Sequence, residues 1–336
     1  MGRAHTLGTV PPAVTVVVPV LNDAEGLPRV VASVLDQEVQ GFLEVLLCVG
    51  PSDDGTREVA ERLAAECGPV RVLTNPGGTI PAALNLGLAA ASGDVLVRVD
   101  ARTVLPAGYV ATAIETLEST GAANVGAIQH PHGHGLMQVA IAAAMRHFLG
   151  SGGASYRREA APRHVDTGFL GVFEVERLRT VGGWDERFLR NEDAELNLRL
   201  ATLGGVWLDP RLVVRYEPRS SLRGLARQYF DYGWWRRVTM RKHRNSIALR
   251  QAAAPLLVMT LLSSMLATLI WPWALLVVVG YVAVLVAGSL LGGSSDANPL
   301  LVAAAMGVMH LSWGSGFLAS SLFGPRIAGD GDLASS

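Results

Sequence analysis

The chain has 336 residues, half of them hydrophobic and 17% charged, with a formal net charge of −1. That length allows one large domain or two smaller ones, and a charge so near zero provides no overall field to attract nucleic acid. Lys242 is the only lysine, which leaves almost no room for Schiff-base or P-loop chemistry, and Cys48 and Cys67 follow no metal-ligand spacing and read as reduced thiols.

Residues 1–13 form an N-terminal extension without the basic-then-apolar pattern of a secretory leader. Next come the runs VTVVVPV (14–20), EVLLCV (44–49), VRVLT (70–74) and VLVRVD (95–100), which predict strands. Helix-compatible stretches at about 25–36, 56–66 and 79–91 separate them. Unbroken Val/Leu runs indicate strands buried on both faces. Strand–helix–strand repetition then predicts an α/β fold, a doubly wound and mainly parallel sheet. Ligands of such sheets bind beyond the carboxyl ends of the strands, where this chain places Asn22, GPSDDGT (50–56), TNPGGT (74–79) and Asp100.

Residues 131–165 read as loop-rich, with HPHGHG at 130–135 and GSGGAS at 150–155. No acid or cysteine accompanies His130, His132 and His134, so glycine-rich loop is favoured there over a metal site. A second structured block, about 166–216, holds the strand GFLGVF, a helix, the turn VGGWDERF and the segment LRNEDAELNLRLATLGG. Leu196, Leu198, Leu200 and Leu203 in that segment recur at helical spacing up to Gly204-Gly205. Asp193 sits where a loop enters this helix, a position that also favours acids through the helix dipole.

Residues 217–250 form a basic amphipathic segment, with Leu222, Leu225, Ala226 and Tyr229 on one helical face and Trp234-Trp235 near its end. It suits a helix lying in a membrane interface or one packed on a soluble domain. Positions 215–250 carry ten Lys/Arg against two acids, whereas 251–295 carry no Asp, Glu, Lys or Arg at all. Three apolar spans follow, at about 252–273, 274–292 and 300–323, each near the roughly 20 residues that cross a bilayer. Basic charge ahead of the first span places the domain at 14–216 in the cytoplasm. Small residues in the third span fit helix–helix contact, and His310 reads as part of it; residues 324–336 are a tail.

In order and register, these parts resemble the family 2 glycosyltransferases with the GT-A fold, of the succinoglycan-biosynthesis type found in bacterial membranes. The matching stretches are VTVVVPVLNDAEGLPRVVASVL, GPSDDGT, NPGGTIPAALNLGLAAASGDVLVRVDA, VGGWDERFLRNEDAELNLRL and RQYFDYGWWRR, together covering residues 14–237. The resemblance implies that Pro19 and Asn22 line a nucleotide pocket. It implies that Asp100, in the Asp100-Ala101-Arg102 position of the family's Asp-x-Asp, meets the donor ribose and diphosphate, usually through Mg²⁺ or Mn²⁺. The pair Glu192-Asp193 would supply catalysis, with Asp193 as general base for an inverting displacement, and Gln228, Trp234 and Trp235 would cover the acceptor side.

Two departures stand out. Val49-Gly50 replaces the acid pair that holds the nucleotide base in relatives, so Asp53 or Asp54 stands in for it or SDDGT is an ordinary turn and helix cap. Arg102 replaces the second acid, and a guanidinium has donors only. It can neutralise a diphosphate, so either Asp100 binds the metal with help from elsewhere or Arg102 partly replaces it. The expected activity is transfer from a nucleotide sugar to a lipid-linked saccharide at a membrane, with no nucleic-acid partner. The rivals are a polyprenyl-phosphate sugar synthase and an inactive membrane scaffold of the same ancestry.

Overall fold

A computed structural model describes residues 11–152, 155–157, 161–244, 246, 251–292 and 296–325. Positions 1–10 and 326–336, most of the extension and tail, lie outside the described residues. In chain order the elements are β1 (Val14–Val20), α1 (Leu27–Leu35), β2 (Leu43–Val49), α2 (Thr56–Glu66), β3 (Val70–Thr74), α3 (Ile80–Ala90), β4 (Val95–Arg98), α4 (Tyr109–Thr120) and β5 (Asn124–Pro131). They continue with α5 (Gly135–Arg146), α6 (Phe148–Ser151), β6 (Arg163–Val165), β7 (Phe169–Glu174), α7 (Val175–Thr180), α8 (Glu192–Leu200) and β8 (Val206–Tyr216). Helices α9 (Leu222–Lys242), α10 (Ala253–Ala267), α11 (Leu275–Gly292) and α12 (Pro299–Phe323) complete the chain. They divide into two compact units: residues up to 129 with 161–215, and 130–157 with 216 onward.

The first unit is built on an eight-stranded sheet of order β3-β2-β1-β4-β7-β5-β8-β6. Its half β3-β2-β1-β4 is parallel, while β7 runs antiparallel to β4 and β5. Period-two alternation divides each strand between two cores. Val14, Val16, Val18 and Val20 of β1 pack with α1, α2 and α4 on one face, and Val17 packs with α3, α7 and α8 on the other. The strand order reverses between β1 and β4, which is the switch point where such sheets bind ligands. The four predicted parallel strands and their helices thus lie where the hydrophobic runs place them, the expected strand GFLGVF is β7, and β5, β6 and β8 are strands the reading of the sequence did not name.

In the second unit the expected loop at 131–165 contains a 12-residue helix, α5. Its run from Ala140 to Met145 is buried on every side, so no amphipathic period marks it, and glycines flank it at both ends. Residues 130–157 accordingly join the C-terminal helices, where Ile141 and Met145 share a core with Met306 and Met309 of α12. The division therefore differs from the single domain expected at 14–216.

Helix α9 runs alongside α12, with Gly233 and Gly316 allowing the two backbones to touch. A Cβ at Gly233 would sit 1.9 Å from the Trp313 carbonyl oxygen, and one at Gly316 would sit 2.1 Å from that of Phe230. Arg241 Nη2 donates to the carbonyls of Ser320 and Ser321 and Nη1 to that of Gly324, closing the C-terminal end of α12. The apolar stripe of α9 thus meets α12, a partner that neither sequence expectation for residues 217–250 named. Among the described residues two segments are long and apolar enough to cross a membrane, Pro272–Gly292 and Pro299–Phe323, whereas α10 has 15 residues and is shorter than the span expected at 252–273. Leu269, Ile270, Trp271, Trp273 and Leu291 are strongly exposed apolar side chains around these helices.

Candidate active site

The site lies in the first unit, at the carboxyl ends of β1, β2 and β4. Asn22 turns the chain after β1 in the left-handed region, φ 49°, which asparagine tolerates better than most side chains. Its N–H donates to Ser52 Oγ at 3.1 Å and its Oδ1 accepts from the Asp53 N–H at 3.0 Å, lacing the β1 and β2 loops together. Asp54 is consumed by the same lacing. Its Oδ1 accepts from Thr56 Oγ1 at 2.5 Å and its Oδ2 from the Ala24 N–H at 3.0 Å, bonds that hold this carboxyl below the usual carboxylate range. Asp54 is therefore occupied as a turn residue ahead of α2, while the Asp53 side chain stays exposed. Pro19 is half-buried within β1, opposite Cys48.

The end of β4 carries a residue the motif reading passed over. Arg98 is 5% exposed, a full charge inside the run Val95–Val99, and such burial requires partners. Its Nε donates to Asp100 Oδ1 at 2.9 Å, and its Nη1 reaches Glu192 Oε1 at 3.3 Å and Asp193 Oδ1 at 2.5 Å. The guanidinium thus joins Asp100 to Glu192-Asp193, although more than ninety residues separate them in sequence. Three nearby carboxylates hold Arg98 firmly protonated against its own burial. The Asp100 carboxyl is 38% exposed. Arg102 is 75% exposed, and its Nε lies 3.8 Å from Asp23 Oδ1. Asp23 itself turns inward with Oδ2 buried and unpartnered; burial pushes its pKa up and Arg102 pulls it back.

Helix α8 begins at Glu192, just after Asn191 in the left-handed region, φ 60°. Gly182 and Gly183, both at positive φ, form the turn that brings Trp184 against this helix start. Asn85 of α3 fixes the turn, donating to the Trp184 carbonyl and accepting from its N–H, each at 2.8 Å. The Trp184 indole N–H then donates to Asp193 Oδ1 at 3.2 Å. Burial and, next, the charge of Asp193 push Glu192 up to about 7. Burial also raises Asp193, opposed by Arg98 and the indole. Two neighbouring carboxyls that titrate together, both raised by burial, suit proton transfer near neutral pH.

Of the residues expected to act, Asn22, Asp53, Asp54, Asp100 and Arg102 lie on loops at the carboxyl ends of the strands, and Glu192 and Asp193 open helix α8, tied to Asp100 through Arg98. Gln228, Trp234 and Trp235 are on α9 in the second unit. There Gln228 Nε2 donates to the hydroxyls of Tyr216 and Tyr232 at 3.0 and 2.8 Å, and Trp234 lies near Phe230. His132 and His134 are exposed ahead of α5, and no group of three metal-capable side chains occurs among the described residues. Arg98 was detectable as a lone charge in a buried strand; the Asn85 and Trp184 contacts were not, since they join positions far apart or on opposite sides of a loop.

Comparison with known proteins adds to this geometry. Residues 15–174 match the model of glycosyl transferase family 2. Over 325 residues the chain is 35% identical to the succinoglycan biosynthesis protein ExoA of Rhizobium meliloti (strain 1021), covering 93% of this chain and 96% of that protein. It is 23% identical over 239 residues to a dolichyl N-acetyl-alpha-D-glucosaminyl phosphate 3-beta-D-2,3-diacetamido-2,3-dideoxy-beta-D-glucuronosyltransferase of Methanococcus voltae, covering 68% and 74% of the two chains. Among solved structures, the mannosyltransferase PcManGT of Pyrobaculum calidifontis, in complex with GDP-Man and Mn²⁺, superimposes with a TM-score of 0.58 at 20% identity, covering 94% of this chain and 88% of that one. At that identity the likeness establishes the fold, GT-A, and nothing finer. Family match, full-length relative and fold agree: this chain belongs to glycosyl transferase family 2 and is a glycosyltransferase.

Proposed function

We propose that the protein transfers a sugar, with inversion, from a nucleotide-sugar donor to a lipid-linked saccharide during polysaccharide assembly. The observation that carries the reading is Asp193, a partly buried carboxylate beside Asp100 at the switch-point end of the sheet. It takes the proton of the acceptor hydroxyl as that oxygen attacks the anomeric carbon, while the nucleotide diphosphate departs with the bonding electrons. No second carboxylate is assigned as a nucleophile, so a single displacement follows. Asn22, Pro19 and Asp53 frame the nucleotide, and the exposed Arg102 neutralises its diphosphate.

Asp100 suits a share in a divalent cation. Its Oδ1 is held by Arg98, and no described residue hydrogen-bonds Oδ2 on a carboxyl that is partly exposed. Mg²⁺ sites commonly use one or two carboxylates plus substrate phosphates and water. Mg²⁺ or Mn²⁺ held by Asp100 and the donor would supply charge neutralisation at the diphosphate.

The acceptor class is supported by two relatives, one named for succinoglycan biosynthesis and one for a dolichyl-phosphate-linked sugar. Two apolar helices and the basic segment ahead of them support a multi-pass membrane protein with its catalytic unit in the cytoplasm. Asp193→Asn is expected to lower turnover by about 10²–10⁴-fold while UDP or GDP binding persists in calorimetry. Turnover within a few-fold of wild type would remove the base assignment, and product mass separates saccharide transfer from lipid-monophosphate glycosylation.

A further inference from the structure

Asp193 has one oxygen held and one open. Oδ1 accepts from both Arg98 Nη1, at 2.5 Å, and Trp184 Nε1, at 3.2 Å. Oδ2 has no hydrogen-bond partner among the described residues, on a carboxyl that is 28% exposed. Both donors are themselves fixed. Arg98 is tied at Nε by Asp100 and lies in the strand register between Val17 and Gly171. Trp184 has its backbone locked by Asn85, and its ring stands edge-on to Phe173 at 5.5 Å and 82°. Two rigid N–H groups on one oxygen leave the carboxyl little freedom to rotate.

We propose that Arg98 and Trp184 are positioning residues that clamp Asp193 Oδ1, so that Oδ2 is the oxygen that receives the acceptor's proton. The proposal rests on Asp193 being the base. In the step, the acceptor O–H bond breaks and its proton goes to Oδ2. The acceptor oxygen bonds the anomeric carbon, and the bond from that carbon to the diphosphate oxygen breaks with its electron pair leaving on the nucleotide. Neither positioning residue gains or loses a proton. Their function is to keep the receiving lone pair aligned, and a misplacement of about 1 Å in such an arrangement can cost on the order of 10²-fold in rate. They also stabilise the ionised carboxylate in a desolvated place. The charged groups facing Asp193 are Arg98 on β4, Asp100 in the turn after β4 and Glu192 beside it on α8.

The test uses the full chain in detergent with two conservative variants, Arg98→Lys and Trp184→Phe. Lysine keeps the charge but, with a single nitrogen, cannot bridge Asp100 and Asp193 as the guanidinium fork does. Phenylalanine keeps most of the apolar ring and loses the N–H. With a donor from a panel of UDP- and GDP-sugars, each variant is expected to lose about 10–100-fold in kcat, with donor KM and UDP or GDP affinity within about threefold of wild type. The acid limb of the kcat–pH profile moves to higher pH in both, because each loses a donor to the ionised form. A residue of merely structural importance would lower the melting temperature without moving that limb. The proposal is overturned if the limb stays in place, or if Arg98→Lys raises donor KM tenfold with kcat kept, which would assign Arg98 to the donor through Asp100. Should Arg98→Lys fail to fold, Trp184→Phe carries the test. An active Asp193→Asn is the separate outcome that removes the base, and with it the need for a clamp.

Discussion

Replacing Glu192 by glutamine is expected to make the stability of the protein less dependent on pH. Burial and the neighbouring Asp193 push Glu192 from its ordinary value near 4.5 up to about 7, against the pull of Arg98. Between those values the folded chain keeps a proton that the unfolded chain has released. Glu192 therefore contributes stability that is fully present below about pH 4.5 and is lost as pH rises through about 7. The interval corresponds to roughly 3 kcal/mol, an upper bound because Asp193 titrates with it. Glutamine has no proton to release over this range, and its carbonyl can still accept from Arg98 Nη1, now at 3.3 Å from Glu192 Oε1. Melting followed by tryptophan fluorescence in detergent, from pH 5 to pH 8.5, measures the gap between variant and wild type. In a unit of this size about 1 kcal/mol moves the midpoint by roughly 2–4 °C. The variant should thus gain on wild type by up to about 6–12 °C between the two ends. A gap that is the same at pH 5 and pH 8.5 would show that Glu192 titrates normally, and the account of the buried carboxyl pair would fail.

Two further outcomes follow from the site and from the helix pair. With only one protein carboxylate offered, Mn²⁺ should bind the free protein weakly and bind much more tightly when UDP or GDP is present, as read by electron paramagnetic resonance; Asp100→Asn should abolish that gain, and equally tight binding without nucleotide would point to a protein-only site. Gly316→Leu places a bulky side chain where even a Cβ would lie 2.1 Å from the Phe230 carbonyl oxygen, so it should separate α9 from α12 and lower the melting temperature sharply. The equivalent change at Gly280, whose Cβ direction is open, should be nearly neutral, and equal loss from both would contradict the packing.

The chain by itself determined the parallel half of the sheet, because strands buried on both faces must be written as unbroken runs such as VTVVVPV and EVLLCV, and no tertiary information is needed to see them. It also marked where polar groups gather at the carboxyl ends of the strands, since Asn22 and Asp100 close such runs, and that Asp193 opens a helix. The tertiary structure decided what those residues do to one another. Only folding brings Arg98 against Asp193, ninety-five positions away, and reveals that Asp54 is spent on Ala24 and Thr56 rather than free for a nucleotide. Helix α5 was hidden for a related reason. A segment buried on every side carries no amphipathic period, and its environment, the core it shares with α12, is assembled from residues more than 150 positions further along. Periodicity records which face of an element meets water, whereas pairing between distant charges leaves no local pattern, so the positions of the acids could be read along the chain and the hydrogen bonds from Arg98 and Trp184 to Asp193 could not.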